Sequence, residues 1–240
     1  MLTSLNPQQL QAVTTPSKYV RIIAGAGSGK TRVLTTRIAY LIDKIGADPR
    51  RIVAITFTNK AANEMKQRVE NLLGEAGTGV HISTIHSLCV RILREDIMAM
   101  GYPRNLTGWD QDYQKAVLKE AYKEIGLDSK EVGYSMMLDY IAGYKSLSMK
   151  PEAAMIRSKG DIRQEKKAKI YEYYVNRQLS MYALDFDDLL LWTRDMFRDH
   201  EEILKKWQYR FQYILVDEFQ DVDNIQYEIV QQLAGSHNEV

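Results

Sequence analysis

The rhythm of apolar and polar positions changes three times along the chain. Near the start, short β-type runs alternate with stretches of helical spacing. Tyr19 to Ala24 is a β-type run that ends in a glycine cluster. Val33, Leu34, Ile38, Leu41 and Ile42 then recur at helical intervals, which predicts a helix over Thr31 to Ile42. Ile52 to Phe57 reads as a second strand. Lys60 to Leu73 reads as a helix with Ala61, Met65, Val69 and Leu72 on one face, and Val80 to Ile85 as a third strand. This alternation predicts a parallel sheet covered by helices.

From about Ser87 to Tyr209 the spacing is almost wholly helical. Leu88, Ile92 and Leu93 begin it. Tyr113, Val117, Ala121 and Ile125 continue it after a cap at Asp110, and Met137, Ile141 and Tyr144 follow. Ile170 to Leu179 and Phe186 to Phe197 complete it, the latter opened by Asp185 with Asp188 three residues on. Met136, Met137 and Trp192 read as core, and Cys89 as a small buried residue. Tyr213 to Asp217 then returns as a buried strand. The pattern predicts one α/β domain in two parts, 1–86 and 210–240, interrupted by a mostly helical insertion at 87–209.

Composition narrows the class. The chain has 240 residues, 45% hydrophobic and 26% charged, as an ordinary globular protein has, which excludes collagen-like, mucin-like and wholly disordered chains. Uninterrupted apolar runs are far shorter than the ~20 residues that span a bilayer. The polar opening, Met1 to Thr15, has no signal-peptide pattern. One cysteine and four scattered histidines exclude a disulfide framework and argue against zinc. A cytoplasmic protein without membrane contact is expected. The formal net charge is +1, so contact with nucleic acid must come from local patches rather than bulk charge.

Residues 24–31 read Ala-Gly-Ala-Gly-Ser-Gly-Lys-Thr. The phosphate-loop pattern is G-x-x-x-x-G-K-[ST]; Ala24 replaces its first glycine, and Gly29, Lys30 and Thr31 match. Gly25, Gly27 and Gly29 let backbone N–H groups turn inward, and the helix N-terminus adds to that anion cradle. Lys30 carries a point charge for the β and γ phosphates, and Thr31 a hydroxyl for Mg²⁺. The loop follows a predicted strand and opens a predicted helix, which is the context such a motif needs. Ala26, Ser28 and Arg32 complete the expected nucleotide contacts.

Residues 217–221 read Asp-Glu-Phe-Gln-Asp, directly after an apolar strand. The C-terminal edge of a parallel sheet is where ligands bind. Asp217 is placed to hold Mg²⁺ opposite Thr31, and Glu218 to orient and deprotonate water. Asp223 with Gln226 fits the start of a helix at the same place.

These motifs, in this order, resemble the superfamily 1 DNA helicases of the UvrD/Rep/PcrA type. Leu5-Asn6-Pro7-Gln8-Gln9-Leu10-Gln11-Ala12-Val13 resembles that family's adenine-reading motif, with Gln9 at the base-contacting position. The alanine that opens the phosphate loop agrees with the family. Thr56-Phe57-Thr58-Asn59-Lys60-Ala61-Ala62 resembles motif Ia, which grips single-stranded DNA, and Ser83-Thr84-Ile85-His86-Ser87 resembles motif Ib. Asp217 to Asp221 resembles motif II. The resemblance implies a RecA-like P-loop NTPase fold with an inserted helical subdomain. It also implies ATP and Mg²⁺, and catalytic roles for Lys30, Asp217 and Glu218. It gives Phe57, Thr58, Asn59 and His86 contacts with single-stranded or junction DNA. The implied activity is that of an ATP-dependent 3′-5′ DNA helicase. The family's next strand and second motor domain lie beyond Val240, so the chain reads as the N-terminal fragment of a motor.

Blander readings stand beside these. Phe57 alone would be core, and His86 alone a structural hydrogen-bonder. Segment 156–178 carries seven basic against three acidic residues, followed by Tyr171, Tyr173 and Tyr174. That suits a DNA backbone, or a solvated helix face. A P-loop kinase, the motor of a helicase–nuclease, and a non-catalytic ATP- and DNA-binding module remain alternatives. The pathway, whether repair, replication or recombination, and any proteins met there stay open.

Overall fold

A computed structural model describes residues 2–25, 27–235 and 238–240. It divides into two compact units, Met1–Leu88 with Phe197–Val240, and Cys89–Met196. In the first part of the chain lie α1 (Pro7–Thr14), α2 (Lys30–Asp43), β1 (Ile52–Thr56), α3 (Asn59–Leu73), β2 (His81–Thr84) and α4 (Ile85–Asp96). Next come β3 (Thr107–Gly108), α5 (Gln111–Ile125), α6 (Tyr134–Ser146), α7 (Pro151–Arg157), α8 (Ile162–Met181), β4 (Ala183–Leu184) and α9 (Phe186–Asp199). The chain closes with α10 (Glu201–Arg210), β5 (Tyr213–Val216) and α11 (Asn224–Leu233). No helix among the described residues is long and apolar enough to cross a membrane.

The first unit is a parallel sheet in the order β2-β1-β5. All five residues of β1 are buried, as expected of a central parallel strand covered on both faces. Ile52 and Ala54 of β1 meet Ile82, Leu215 and Tyr213 on one face, under Ile38 and Leu41 of α2 and Met65 and Val69 of α3. The register pairs Ile52 with Tyr213 and Ile55 with Val216. The strand ends therefore align, and the residues after β1 and β5 emerge side by side.

Two expected strands need correction. Tyr19 to Ala24 does not form one. Lys18 and Val20 exchange hydrogen bonds with Val240, and Glu239 pairs in turn with β5 beside Tyr213. No ladder partner accompanies Ile22 to Ala24 among the described residues, and Ile23 is 86% exposed. Apolar sequence supplies strand propensity, but a strand also needs a neighbour to take its N–H and C=O groups. Val80 to Ile85 is cut short as well. Its strand ends at Thr84, whose hydroxyl accepts from the Ser87 N–H at 3.2 Å, and α4 starts at Ile85.

The second unit is helical apart from β3 and β4, a parallel pair of two residues each that the sequence pattern did not signal. Asp110 caps α5 by accepting from the Tyr113 N–H at 2.8 Å. The core joins Trp109, Leu118, Tyr122, Met137, Ile141, Tyr171 and Tyr174. Met137 is fully buried, whereas Met136, expected in the core, is 55% exposed, because adjacent residues on a helix face different ways. Cys89 is buried, and burial pushes its thiol up to about 12.

Inside this unit lies a buried polar cluster. Lys145 Nζ donates to Asp185 Oδ2 at 2.6 Å, to Asp188 Oδ1 at 2.7 Å and to Gln178 Oε1 at 3.1 Å. Tyr174 donates to Asp185, and Gln178 Nε2 donates to Asp188. The Asp185 and Asp188 side chains accept from each other's backbone N–H, closing the expected box at the start of α9. Burial alone would lower the Lys145 ammonium, but Asp188 and Asp185 together hold it above its ordinary value.

Candidate functional site

The site forms where the α2 start and the β5 end meet in the first unit. Gly27 and Gly29 have left-handed backbones, with φ of +74° and +88°, which L side chains adopt only under strain. Their turn ends at Lys30, the first residue of α2, whose first-turn N–H groups have no acceptor within the helix. Ser28 Oγ donates to the Gly25 carbonyl at 2.7 Å, closing the loop on itself. Ala26, expected in this loop, lies outside the described residues.

The two motifs converge. Lys30 Nζ lies 3.8 Å from Glu218 Oε2 and donates to the Ala24 carbonyl at 3.4 Å. The Thr31 hydroxyl lies near enough to the Asp217 carboxylate to help hold that carboxyl down. Asp217 continues the β5 edge, its N–H donating to the Ile55 carbonyl at 2.9 Å, and its side chain is buried. Burial raises its carboxyl above the ordinary carboxylate value; the Glu218 N–H, Lys30 and Thr31 pull the other way, while the Glu218 charge adds to the rise. Glu218 sits at φ +49°, a left-handed conformation unusual for a side-chain-bearing residue. Gln220 Nε2 donates to the same Glu218 oxygen that faces Lys30. Asp223 turns away to cap α11, accepting from the Gln226 N–H at 2.9 Å.

This arrangement joins one ammonium, one hydroxyl, two carboxylates and a helix N-terminus. A hydroxyl and a buried carboxylate are hard oxygen donors, suited to a Mg²⁺ that takes its other ligands from phosphate and water. Among the described residues no group of three or more His, Cys, Asp or Glu could hold a metal by itself. A cation here therefore needs an anionic ligand beside it.

Gln9 reaches the loop from α1. Its Nε2 donates to the Ser28 carbonyl at 2.9 Å, and its Oε1 accepts from the Asn6 N–H at 3.1 Å. Arg32 does not join the group. Its guanidinium donates to the Ser4 carbonyl and hydroxyl, at 3.0 and 2.7 Å.

The residues expected to meet DNA divide. Phe57 follows β1 and is 58% exposed, so the core reading of this side chain fails. Thr58 caps α3, its hydroxyl accepting from the Ala61 N–H at 3.1 Å, and Asn59 and Lys60 open that helix, exposed. His86, expected at a strand end, stands in the first turn of α4 instead. Burial lowers its imidazole, against the pull of Asp223. In segment 156–178, four of the basic residues serve their own unit. Arg163 donates to the Glu131 carbonyl, Lys166 to the Gly126 carbonyl, Lys167 lies over Tyr140, and Arg177 lies 3.9 Å from Glu120. Tyr171 and Tyr174 are core.

Comparison with known proteins places the chain in a family. A family model described as the UvrD/REP helicase N-terminal domain matches residues 5–240. The protein named ATP-dependent DNA helicase PcrA in Staphylococcus epidermidis is 46% identical over 236 residues, covering 98% of this chain and 32% of that protein. Its namesake in Staphylococcus aureus is 45% identical over the same shares. The chain thus spans about a third of the length of the curated relatives it matches.

Proposed function

Because the chain belongs to the UvrD/REP helicase N-terminal domain family, we propose that it is the ATP-binding lobe of an ATP-dependent DNA helicase. The observation that carries this is the meeting of Lys30 with Glu218 and of Thr31 with Asp217 at one end of the sheet. No fold requirement brings a lysine, a hydroxyl and two carboxylates together there, whereas hydrolysis of a nucleoside triphosphate can use each of them.

Each residue has a physical task. Gly25, Gly27, Ser28, Gly29 and the α2 N-terminus offer N–H groups to the phosphates. Lys30 neutralises charge on the β and γ phosphates. Thr31 and Asp217 hold Mg²⁺, which when bound draws charge from the phosphate oxygens. Glu218 accepts a proton from water as that water attacks the γ phosphorus in line, while the bond from that phosphorus to the β–γ bridging oxygen breaks and ADP leaves with the electron pair. Gln9 contacts the adenine. Phe57 offers a stacking face for a base of single-stranded DNA, and Thr58, Asn59 and His86 contact its backbone. The reading extends to movement along DNA with 3′-5′ polarity and to duplex unwinding, as activities of a complete motor.

Ile22 to Ala24, just before the phosphate loop, have no ladder partner among the described residues, and Ile23 is exposed. The test is ATP hydrolysis with and without single-stranded DNA, using Glu218→Gln as the blank. Turnover above the blank supports the reading; turnover equal in both refutes the role given to Glu218.

A further inference from the structure

We infer that Gln9 orients the Ser28–Gly29 peptide of the phosphate loop, and so contributes to phosphate binding whatever base the ligand carries. The inference rests on the nucleotide site proposed above and deepens it.

The amide of Gln9 is used at both ends. The Asn6 N–H holds Oε1 at 3.1 Å while the Gln9 N–H donates to Asn6 Oδ1 at 2.8 Å. The backbone half of this reciprocal box, the Asn6 N–H on Oε1, fixes the Gln9 side chain at the start of α1. With Oε1 held, Nε2 is aimed at the Ser28 carbonyl, 2.9 Å away. Ser28 is a loop residue nineteen positions further along the chain. A contact so distant in sequence is a tertiary choice and not a by-product of helix capping.

The consequence follows from the planarity of the peptide. In a trans peptide the C=O of one residue and the N–H of the next point to opposite sides of one rigid plane. Holding the Ser28 carbonyl toward α1 therefore turns the Gly29 N–H away from α1. Gly29 is the residue before α2, with φ +88° and ψ 28°. Without a Cβ its flanking peptides could rotate readily, so the direction of that N–H needs an external hold. Gln9 supplies it. A Cβ on Gly29 would come within 3.0 Å of Gln9 Nε2, so the missing side chain leaves room for the amide. The Gln9 amide has a second N–H and a second lone pair, so it can hold the loop and read a base at once. Adenine contact and loop geometry are thereby coupled through one side chain.

The experiment titrates Mg²⁺-tripolyphosphate, which carries no base, and Mg²⁺-ATP into the 240-residue chain and two variants. Gln9→Met keeps the length of the side chain but cannot donate. Asn6→Ala removes the side-chain half of the capping box yet leaves the backbone N–H that holds Gln9 Oε1. Loss of one hydrogen bond to the loop predicts that Gln9→Met weakens tripolyphosphate about five- to tenfold. It also predicts a shifted Gly29 amide resonance in the ligand-free protein. Asn6→Ala leaves tripolyphosphate affinity at the wild-type value. Tripolyphosphate affinity unchanged in Gln9→Met, with ATP alone weakened, overturns the inference and leaves Gln9 a base reader. Equal weakening in Asn6→Ala overturns it too, by assigning the effect to the helix start. Wild-type protein that binds neither probe removes the nucleotide site itself, and the inference with it.

Discussion

Lys30 Nζ faces Glu218 Oε2 across 3.8 Å, one side chain from the first turn of α2 and the other from just beyond β5. Both are partly exposed, so the attraction between them is modest. Its importance is spatial: the residue proposed to carry positive charge for the phosphates and the residue proposed to activate water share one small volume. Replacing Glu218 by Gln removes a negative charge from beside the phosphates and frees Lys30. Mg²⁺-ATP affinity in Glu218→Gln is expected to equal or exceed that of the wild type. Hydrolysis is expected to fall by about 10²–10⁴-fold, the usual worth of a general base. Calorimetry and single-turnover hydrolysis check the two halves; lost binding would place Glu218 among the binding groups.

Phe57 is exposed at the end of a fully buried strand, so its ring adds little to the fold. Phe57→Ala is expected to lower affinity for single-stranded DNA by about 1–3 kcal/mol, the worth of one base stacked on an aromatic ring. The melting temperature should stay within a degree or two of the wild type. Anisotropy titration with labelled oligonucleotide measures the first and thermal denaturation the second.

The Lys145 cluster governs the stability of the helical unit. Lys145→Met leaves Asp185 and Asp188 buried without their cation, and is expected to cost about 3–5 kcal/mol. Urea denaturation followed by circular dichroism reads this directly. A loss below about 1 kcal/mol would mean that water reaches the carboxylates and replaces the lysine.

The same cluster sets a pH dependence. Burial, with the Asp185 carboxylate adjacent, pushes Asp188 up to about 6, against the pull of Lys145. Burial also opposes ionisation of Asp185, but Lys145 and the hydrogen bonds from Asp188 together outweigh it and hold that carboxyl below its ordinary value. Between the ordinary carboxylate value of 3.8 and about 6, the folded state holds the Asp188 proton more tightly than the unfolded chain does. The Asp188 contribution to stability therefore grows as pH falls from 6 toward 4. Below 3.8 the unfolded chain takes up the Asp185 proton first, and the Asp185 contribution is lost as pH falls further. Melting curves of wild type and Asp188→Asn over this range should differ in slope between pH 4 and 6. Parallel curves would show that Asp188 is ionised throughout.

Gly29 is the loop position least tolerant of a side chain. Gly29→Ala places an L residue at φ +88°, expected to cost about 1–2 kcal/mol, and drives its Cβ against the Gln9 amide. Thermal denaturation reads the stability loss, and tripolyphosphate affinity should fall along with it.

Much of this was legible in the residues. The helix after the phosphate loop, the buried strand before Asp217 and the caps at Asp110, Asp185 and Asp223 stand where local chemistry put them, because each depends on neighbours a few positions away. What escaped depends on partners far along the chain. Tyr19 to Ala24 has the composition of a strand, but its pairing is decided by Val240. Arg32 is expected among the nucleotide contacts, and its guanidinium bonds Ser4, 28 positions back along the chain. Lys145 would be assigned to solvent on its charge. The signal lay in its spacing, since Met137, Ile141 and Lys145 form one stripe down α6, and the first two are core. For Gln9 the family resemblance suggested a base contact, but nothing local pointed to its bond with Ser28.

The central claim is that Lys30 and its loop bind the phosphates of ATP. Titration of Mg²⁺-ATP into wild type and Lys30→Ala, each first shown to be folded, tests it most directly. The account predicts saturable one-to-one binding to the wild type and an affinity at least about tenfold weaker in the variant, since a charged hydrogen bond is worth ~1.5–3 kcal/mol. Equal affinities in the two proteins would contradict it.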